Sequence, residues 1–189
     1  MYAAAGLVLR SRGIRSRRSA FMFLSARTQS VRKAVHYLLR AWHQLRPAGD
    51  VEPCLIGQMA LSKRLLADCP GEVVIRASVP REECRASVLV FPSLCEGFGM
   101  VNTEAMANGL PVITTTNTGG PAFIQDGRNG FLIPIRDADS LGDTMQWCLD
   151  RRPDLVEISA RASESAAKWQ CRDYRAAPGN ALAQLHRRR

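Results

Sequence analysis

The stretch FPSLCEGFGMVNTEAMANGLPVITTTNTGG, residues 91–120, decides the fold and the candidate site. After an apolar run, the chain turns through Glu96 and two glycines into a segment with helical spacing. This helix is predicted over residues 100–108, ends at Gly109 and is followed by the apolar strand 111–116. Glycine lets backbone N–H groups approach a ligand closely, and a helix N-terminus favours an anion. The stretch therefore predicts a strand, a turn able to accept an anion, a helix and a second strand.

Two carboxylates, Glu96 and Glu104, lie eight positions apart across this turn. Carboxylates suit sugar hydroxyls, because each can accept two O–H donors at once. A ligand that carries both a diphosphate and sugar hydroxyls would match these carboxylates and the N–H groups of residues 99–101. The spacing alone also fits a second interpretation, in which an acidic first turn stabilises the helix by about 0.3–1 kcal/mol.

Outward from this stretch, apolar strands alternate with amphipathic helices. Strands are predicted over residues 20–25, 51–57, 72–78, 87–92, 111–116 and 131–135. Helices are predicted over residues 33–46, 59–68, 100–108, 140–150 and 155–169, with a short one starting at Gly119, Gly120 and Pro121. Several strands are continuously apolar, which is typical of a parallel sheet covered on both faces. The predicted fold class is α/β, a single Rossmann-like domain with a mostly parallel sheet. Ligands of such sheets bind beyond the carboxyl ends of the strands, so the loops after residues 25, 57, 92 and 116 are the candidates.

Three local patterns refine this prediction. Between strands 72–78 and 87–92 only about eight residues remain, whereas a parallel crossover needs a dozen or more. Either the two strands are not neighbours, or a helix is missing. Pro53 weakens the second predicted strand, because proline cannot donate to a ladder. Asp137 or Asp139 is expected to cap the helix that follows it.

The composition is that of a globular protein, with 46% hydrophobic and 23% charged residues. The net charge of +9 is unevenly placed: residues 1–49 hold ten Arg or Lys and no Asp or Glu, whereas residues 50–189 hold sixteen basic and seventeen acidic residues. The Arg- and Ser-rich start suits a loose basic extension, with a transit peptide as the alternative. Basic segments attract nucleic acid or anionic lipid, but no aromatic stacking pattern or nucleic-acid motif accompanies this one, so nucleic acid is not expected as a partner.

The six cysteines form no C-x-x-C pair, and no histidine lies at metal-ligand spacing from them. No metal site is therefore predicted. Cys54 and Cys148 lie in apolar segments, which indicates buried, reduced thiols and a reducing, cytoplasmic location.

The stretch EGFGMVNTEAMANGLPVI resembles the E-x7-E motif of the retaining glycosyltransferases of family four, which have the GT-B fold. Further blocks resemble successive parts of that family's C-terminal domain, in order: RKAVHYLLRAW (32–42), VPREE (79–83), VLVFPSL (88–94), NTGGP (117–121), DGRNGFLIPIRD (126–137) and WQCRDYRAA (169–177). The resemblance covers residues 20–177 and leaves 1–19 and 178–189 as basic terminal segments. It implies one half of a GT-B fold, the half that binds the nucleotide-sugar donor in that family.

The resemblance also implies roles for individual residues. Glu96, the candidate catalytic residue, would contact hydroxyls of the donor sugar, and Glu104 those of the ribose. Backbone N–H groups for sugar or phosphate would come from Phe98, Gly99, Met100 and Val101. Arg27 and Lys33 match the two cations that bind the diphosphate in the family's first loop, here SARTQSVRKA (25–34). Such enzymes retain the anomeric configuration through front-face attack assisted by the leaving diphosphate, and no cofactor beyond the donor is implied.

The chain departs from the family pattern in several places. Ala26 and Ala34 stand where the family has glycines flanking the first loop, and alanine is strained where φ is positive. Another alignment places Arg27 at a glycine position, which leaves its phosphate role open. The family's helix between residues 79–83 and 88–94 is missing, and these 189 residues do not include the acceptor-binding domain.

The sequence therefore predicts the C-terminal domain of a retaining glycosyltransferase that transfers a hexose from a UDP- or GDP-sugar to a glycan or lipid-linked acceptor. It is expected to be incomplete on its own, with a separate chain supplying the acceptor domain. A lipid-linked acceptor would bring peripheral contact with anionic lipid at the inner face of the membrane. The alternatives are a non-catalytic nucleotide-sugar-binding module, an inactive gene fragment, or a basic surface binder driven by residues 1–49.

Overall fold

Six strands form one sheet, and every neighbouring pair is parallel. The structure, a computed structural model, describes residues 21–26, 28–58, 60, 74–76 and 86–168. The strands are β1 (Phe21–Ala26), β2 (Val51–Ile56), β3 (Val74–Arg76), β4 (Val88–Phe91), β5 (Val112–Thr115) and β6 (Phe131–Ile133). Their order across the sheet is β3-β2-β1-β4-β5-β6, which is the order of the Rossmann fold. The predicted α/β, Rossmann-like class is confirmed.

Four α-helices lie within the described residues: α1 (Val35–Leu45), α2 (Met100–Ala107), α3 (Ala138–Asp150) and α4 (Asp154–Lys168). One turn of 3₁₀-helix, Gly120–Ala122, begins at the predicted glycine-proline signal. Apart from residue 60, the helix predicted over residues 59–68 lies outside the described residues. Asp137 caps α3 by accepting a hydrogen bond from the backbone N–H of Ser140 at 2.9 Å, so the first of the two predicted caps is confirmed.

The sheet is apolar on both faces because both are covered by helices. Successive side chains of a strand point to opposite faces. In β1, Phe21 and Phe23 pack into the core that contains α1 and α3, while Met22 and Leu24 pack into the core that contains α2 and α4. All six residues of β1 are buried for this reason. The strands are therefore continuously apolar in sequence because a hydrophobic core lies on each face of the sheet.

The short connection between β3 and β4 joins strands at separate places in the sheet. These strands are not neighbours, because β2 and β1 lie between them. Because both strands run in the same direction, the connection must cross three inter-strand spacings of about 4.8 Å each and also return from the carboxyl end of β3 to the amino end of β4. The first of the two predicted alternatives is therefore confirmed, since the two strands are parallel but not neighbours. Pro53 lies within β2 opposite Phe23 of β1, and β3 pairs with β2 from Cys54 onward.

Ala34 adopts the left-handed conformation, with φ 56°, as the residue preceding α1. The sequence pattern predicted strain at this position because the family has a glycine there. Ala34 is also completely buried, so its methyl group is enclosed by the core. Ala26 lies inside β1 and does not have a positive φ, so no strain arises from the second replacement.

Candidate functional site

A pocket of about 470 Å³ lies at the carboxyl ends of β1 and β4. The residues that line it follow β1, end β4 or follow β4: Thr28, Ser30, Arg32, Lys33, Phe91, Glu96, Gly99, Met100 and Val101. The strand order reverses between β1 and β4, and ligands of open α/β sheets bind at such a switch point. Two of the four predicted loops, those after residues 25 and 92, therefore meet in this pocket.

The carboxylate of Glu96 is the charged centre of the pocket. Its Oε1 accepts hydrogen bonds from Lys33 Nζ, from Arg32 Nη1 at 2.9 Å and from Ser93 Oγ at 2.9 Å. The side chains of Glu96 and Lys33 are 12% and 14% exposed, whereas that of Arg32 is 57% exposed. Lys33 Nζ also lies 4.7 Å from the centre of the Phe91 ring. The pocket thus contains two cations around one largely buried carboxylate.

This arrangement keeps Glu96 ionised. Burial alone would raise the pKa of its carboxyl group, but hydrogen bonds from Lys33 and Ser93 and the positive charges of Lys33 and Arg32 outweigh burial. The net result is a pKa below the ordinary value of 4.5. Glu96 is therefore an acceptor of hydrogen bonds at neutral pH, as contacts with hydroxyl groups require.

Backbone contacts hold the two pocket loops against each other. The carbonyl oxygen of Arg32 accepts from the N–H of Leu94 at 2.9 Å and from Ser93 Oγ at 3.2 Å. The N–H of Glu96 donates to the carbonyl oxygen of Asn117 at 3.1 Å, so the loop after β5 supports the loop after β4. The position of the cations and of the carboxylate is therefore set by three neighbouring strands.

The start of α2 is shaped by two glycines. Gly99 precedes the helix with φ 79°, a conformation that favours glycine. The N–H of Gly119 donates to the carbonyl oxygen of Phe98 at 2.7 Å. A Cβ atom on Gly119 would lie only 2.5 Å from that oxygen. The close approach of these two backbones explains why a glycine stands in the NTGGP block.

The structure brings together five of the eight predicted site residues, because Lys33, Glu96, Gly99, Met100 and Val101 line the pocket. Phe98 does not line it, and its ring packs against Phe123 with the ring centres 5.6 Å apart. Glu104 lies one turn beyond Met100 on α2, half-buried, and outside the lining. Arg27 lies outside the described residues.

The interpretation of the two glutamates as an acidic first turn is wrong. Helix α2 begins at Met100, and its first turn contains no acidic residue. Glu96 lies in the preceding loop and Glu104 in the second turn. Their spacing places one carboxylate in the pocket and the other farther along the helix, so stabilisation of the helix dipole does not account for either.

Sequence reasoning missed several residues of the pocket, above all Arg32, and it also missed Ser93, which donates to Glu96 but does not line the pocket. Arg32 precedes Lys33 directly, and this pair of cations at a strand-to-helix loop was an available signal. Ser93 lies in the FPSL segment, but nothing in its residue type indicated that it would donate to Glu96.

Neither a metal centre nor a membrane span is found in the part of the chain that the structure describes. There, no three His, Cys, Asp or Glu side chains come together in a group that could hold a metal ion. None of its helices is both long and apolar enough to pass through a membrane.

Comparison with known proteins identifies the family. The model of the family described as Glycosyl transferases group 1 matches residues 18–151. The chain belongs to this family. Among curated relatives, the D-inositol 3-phosphate glycosyltransferase of Streptomyces scabiei is 48% identical over 86 residues, which is 43% of this chain and 18% of the relative.

Two solved structures have a similar fold. HepE of Anabaena, solved in complex with UDP and glucose, is 20% identical with a TM-score of 0.73 over 87% of this chain and 48% of its own. The C-terminal domain of the group 1 glycosyl transferase LpcC of Francisella tularensis is 17% identical with a TM-score of 0.66, over 78% of this chain and 85% of that domain. The fold is that of a C-terminal GT-B domain, as predicted. The chain spans about a fifth of the curated relatives' length.

Proposed function

We propose that this group 1 glycosyl transferase chain is the donor-binding domain of a retaining enzyme. It binds a UDP- or GDP-sugar, and the complete enzyme transfers the hexose to a glycan or a lipid-linked acceptor. The observation that carries the proposal is the cluster of Arg32, Lys33 and Glu96 at the switch point between β1 and β4. A nucleotide sugar needs cations for its diphosphate and a carboxylate for its hydroxyls, and this pocket presents both. The complex of HepE with UDP and glucose supports the same ligand class.

The proposed roles follow from the position of each group. Lys33 binds the diphosphate and neutralises the negative charge that develops on it as the bond to the sugar breaks. Glu96 accepts hydrogen bonds from hydroxyls of the donor sugar. Glu104, one turn deeper on α2, accepts from the ribose hydroxyls. Backbone N–H groups at the start of α2, from Gly99 to Val101, face the sugar or phosphate.

The chemical step is the displacement of the nucleoside diphosphate from the anomeric carbon. An acceptor hydroxyl attacks on the face from which the diphosphate leaves, and its proton passes to the departing phosphate oxygen. The new glycosidic bond then keeps the anomeric configuration of the donor. The acceptor would bind to a surface supplied by another domain or another chain, because the described pocket belongs to the donor half.

Binding of nucleotides to the 189-residue protein tests the proposal. Titration calorimetry with UDP and with GDP should give binding to one of them. The substitution Glu104→Ala should weaken that binding by about tenfold, because a hydrogen bond to a charged group contributes about 1.5 kcal/mol. Glu164→Ala, which removes an exposed carboxylate from α4, is the matched control and should bind like the wild type. A folded protein that binds neither nucleotide would overturn the proposal.

A transfer assay distinguishes the donor domain from the alternative interpretations. If the protein binds a nucleotide sugar and transfers the sugar once a chain carrying an acceptor domain is added, it is a catalytic half. Binding without transfer under any such condition would favour a non-catalytic binding module. Repeated turnover by this chain alone would show that the separate acceptor domain is unnecessary.

A further inference from the structure

Arg32 is a pocket cation to which the family resemblance assigns no role. Its backbone is fixed by the loop after β4 through the bonds that its carbonyl oxygen accepts from Leu94 and Ser93. Its guanidinium reaches Glu96 at 2.9 Å and the carbonyl oxygen of Cys95 at 3.2 Å. The backbone contacts hold Arg32 at the pocket independently of its bond to Glu96.

The bond between Arg32 and Glu96 is the weakest of the three that converge on Oε1. The Arg32 side chain is 57% exposed, so water screens its attraction to the carboxylate. If Arg32 moved away, Glu96 would still be held by Lys33 and Ser93. Three donors also crowd one oxygen atom, which has two lone pairs. Release of Arg32 from Glu96 therefore costs little.

The charge balance of the pocket shows what the released guanidinium would bind. Among the described lining residues, Lys33 and Glu96 cancel each other, and Arg32 supplies the one positive charge in excess. Its planar group of five N–H donors matches two oxygens of a phosphate at once. An anion entering this pocket therefore meets an exposed cation next to a largely buried one.

We propose that Arg32 is a phosphate-binding residue of the donor site that exchanges Glu96 for the diphosphate when the nucleotide binds. This inference rests on the proposed function, since it assumes a nucleoside diphosphate as ligand. Arg32 then adds affinity for the diphosphate, while its departure leaves Glu96 less crowded and able to accept from the sugar. Both consequences come from one side-chain movement.

The test compares Arg32→Gln with Arg40→Gln by titration calorimetry. Arg40 is exposed on α1 and outside the pocket, so it controls for the loss of one positive charge. Arg32→Gln should lower the affinity for UDP or GDP about tenfold and leave the affinity for the phosphate-free nucleoside unchanged. Arg32→Lys, which keeps the charge without the planar donors, should bind the nucleotide with an affinity between those of Arg32→Gln and the wild type. Arg40→Gln should match the wild type.

A double-mutant cycle with Glu96→Gln separates phosphate binding from a mere effect on Glu96. If Arg32 contacts the phosphate, adding Arg32→Gln to the Glu96→Gln protein should still lower its affinity for the nucleotide about tenfold. Loss of that effect in the double mutant, or equal affinity of Arg32→Gln and wild type, overturns the role of Arg32 and leaves the donor site intact. Absence of nucleotide binding by the folded wild type overturns the donor site and this inference together.

Discussion

The substitution Glu96→Gln should change the affinities for a nucleotide and for its sugar conjugate in different ways. Glu96 should compete with the diphosphate for Lys33 and Arg32, because its carboxylate binds both cations in the structure. Glutamine keeps the shape of the side chain and one acceptor oxygen but removes the negative charge. The substitution should therefore free the cations for the phosphates and weaken the contact with sugar hydroxyls.

The size of each effect follows from the hydrogen bonds involved. A bond to a charged group contributes about 1.5–3 kcal/mol and a neutral one about 0.5–1.5 kcal/mol, so the loss of the charge changes each largely buried contact by about 1 kcal/mol. The contact of the largely buried Lys33 with residue 96 should weaken by this full amount, whereas the contact of the exposed Arg32 should change little. UDP should bind about fivefold more tightly to the Glu96→Gln protein.

The sugar contact changes by a similar amount in the opposite direction. The preference for UDP-glucose over UDP should fall about fivefold, because the hydroxyls lose a charged acceptor. The affinity for UDP-glucose itself should then remain close to that of the wild type. Titration calorimetry of both ligands measures the two constants, with a GDP pair in parallel, and Glu164→Gln on α4 is the control for the lost charge.

One result would refute this reasoning. If Glu96→Gln weakens UDP and UDP-glucose equally while the protein remains folded by circular dichroism, Glu96 acts by positioning Lys33 for the phosphate. The carboxylate would then support the cation rather than compete with the ligand, and its proposed contact with sugar hydroxyls would have no support.

Three further predictions concern stability. Arg46 is exposed at the end of α1 and has φ 39°. Arg46→Gly should increase the free energy of unfolding by about 1 kcal/mol and so raise the melting temperature by about 3 °C. Arg46→Ala should give no gain in stability. Gly119→Ala should cost about 1–3 kcal/mol because its Cβ would meet Phe98; Gly97→Ala, with open space around its Cβ, should leave the melting temperature unchanged. The pKa of Glu96 is lowered on folding, so this carboxylate contributes fully to stability at pH values above its ordinary pKa. The contribution is lost as the pH falls through the pKa of the folded state. Denaturant titrations from about pH 6 to about pH 3 should therefore show a smaller loss of stability in Glu96→Gln than in the wild type.

The architecture could be predicted from the sequence because each strand shows its surroundings in its residue types. β1 is apolar on both faces since each face packs on helices, and this alone favours a parallel α/β sheet. Asp137 was predictable because a helix cap depends on residues close in sequence. The ends of several strands were overestimated by one or two residues, since β4 and β5 stop where pairing with the neighbouring strand stops.

The charged cluster could not be predicted in the same way. Arg32 and Glu96 are 64 residues apart, and their contact depends on β1 lying beside β4 in the sheet. Sequence patterns report local periodicity and do not specify which loops become neighbours. The resemblance brought Lys33 and Glu96 into one site, but it assigned them to different parts of the donor, the diphosphate and the sugar. It did not indicate that they would contact each other.

The conformation of Ala34 bears on how this cluster is held. A non-glycine residue in the left-handed region costs roughly 1–2 kcal/mol, and such strain persists only where the surrounding structure determines the backbone. Here the N–H of Ala34 donates to the carbonyl oxygen of Val31 at 2.9 Å, and its methyl group is fully buried. The turn that carries Arg32 and Lys33 is therefore fixed by the packing of α1 and not by a glycine. The proposed exchange requires this arrangement: the backbone and the largely buried Lys33 stay in place, while the exposed Arg32 side chain changes its partner.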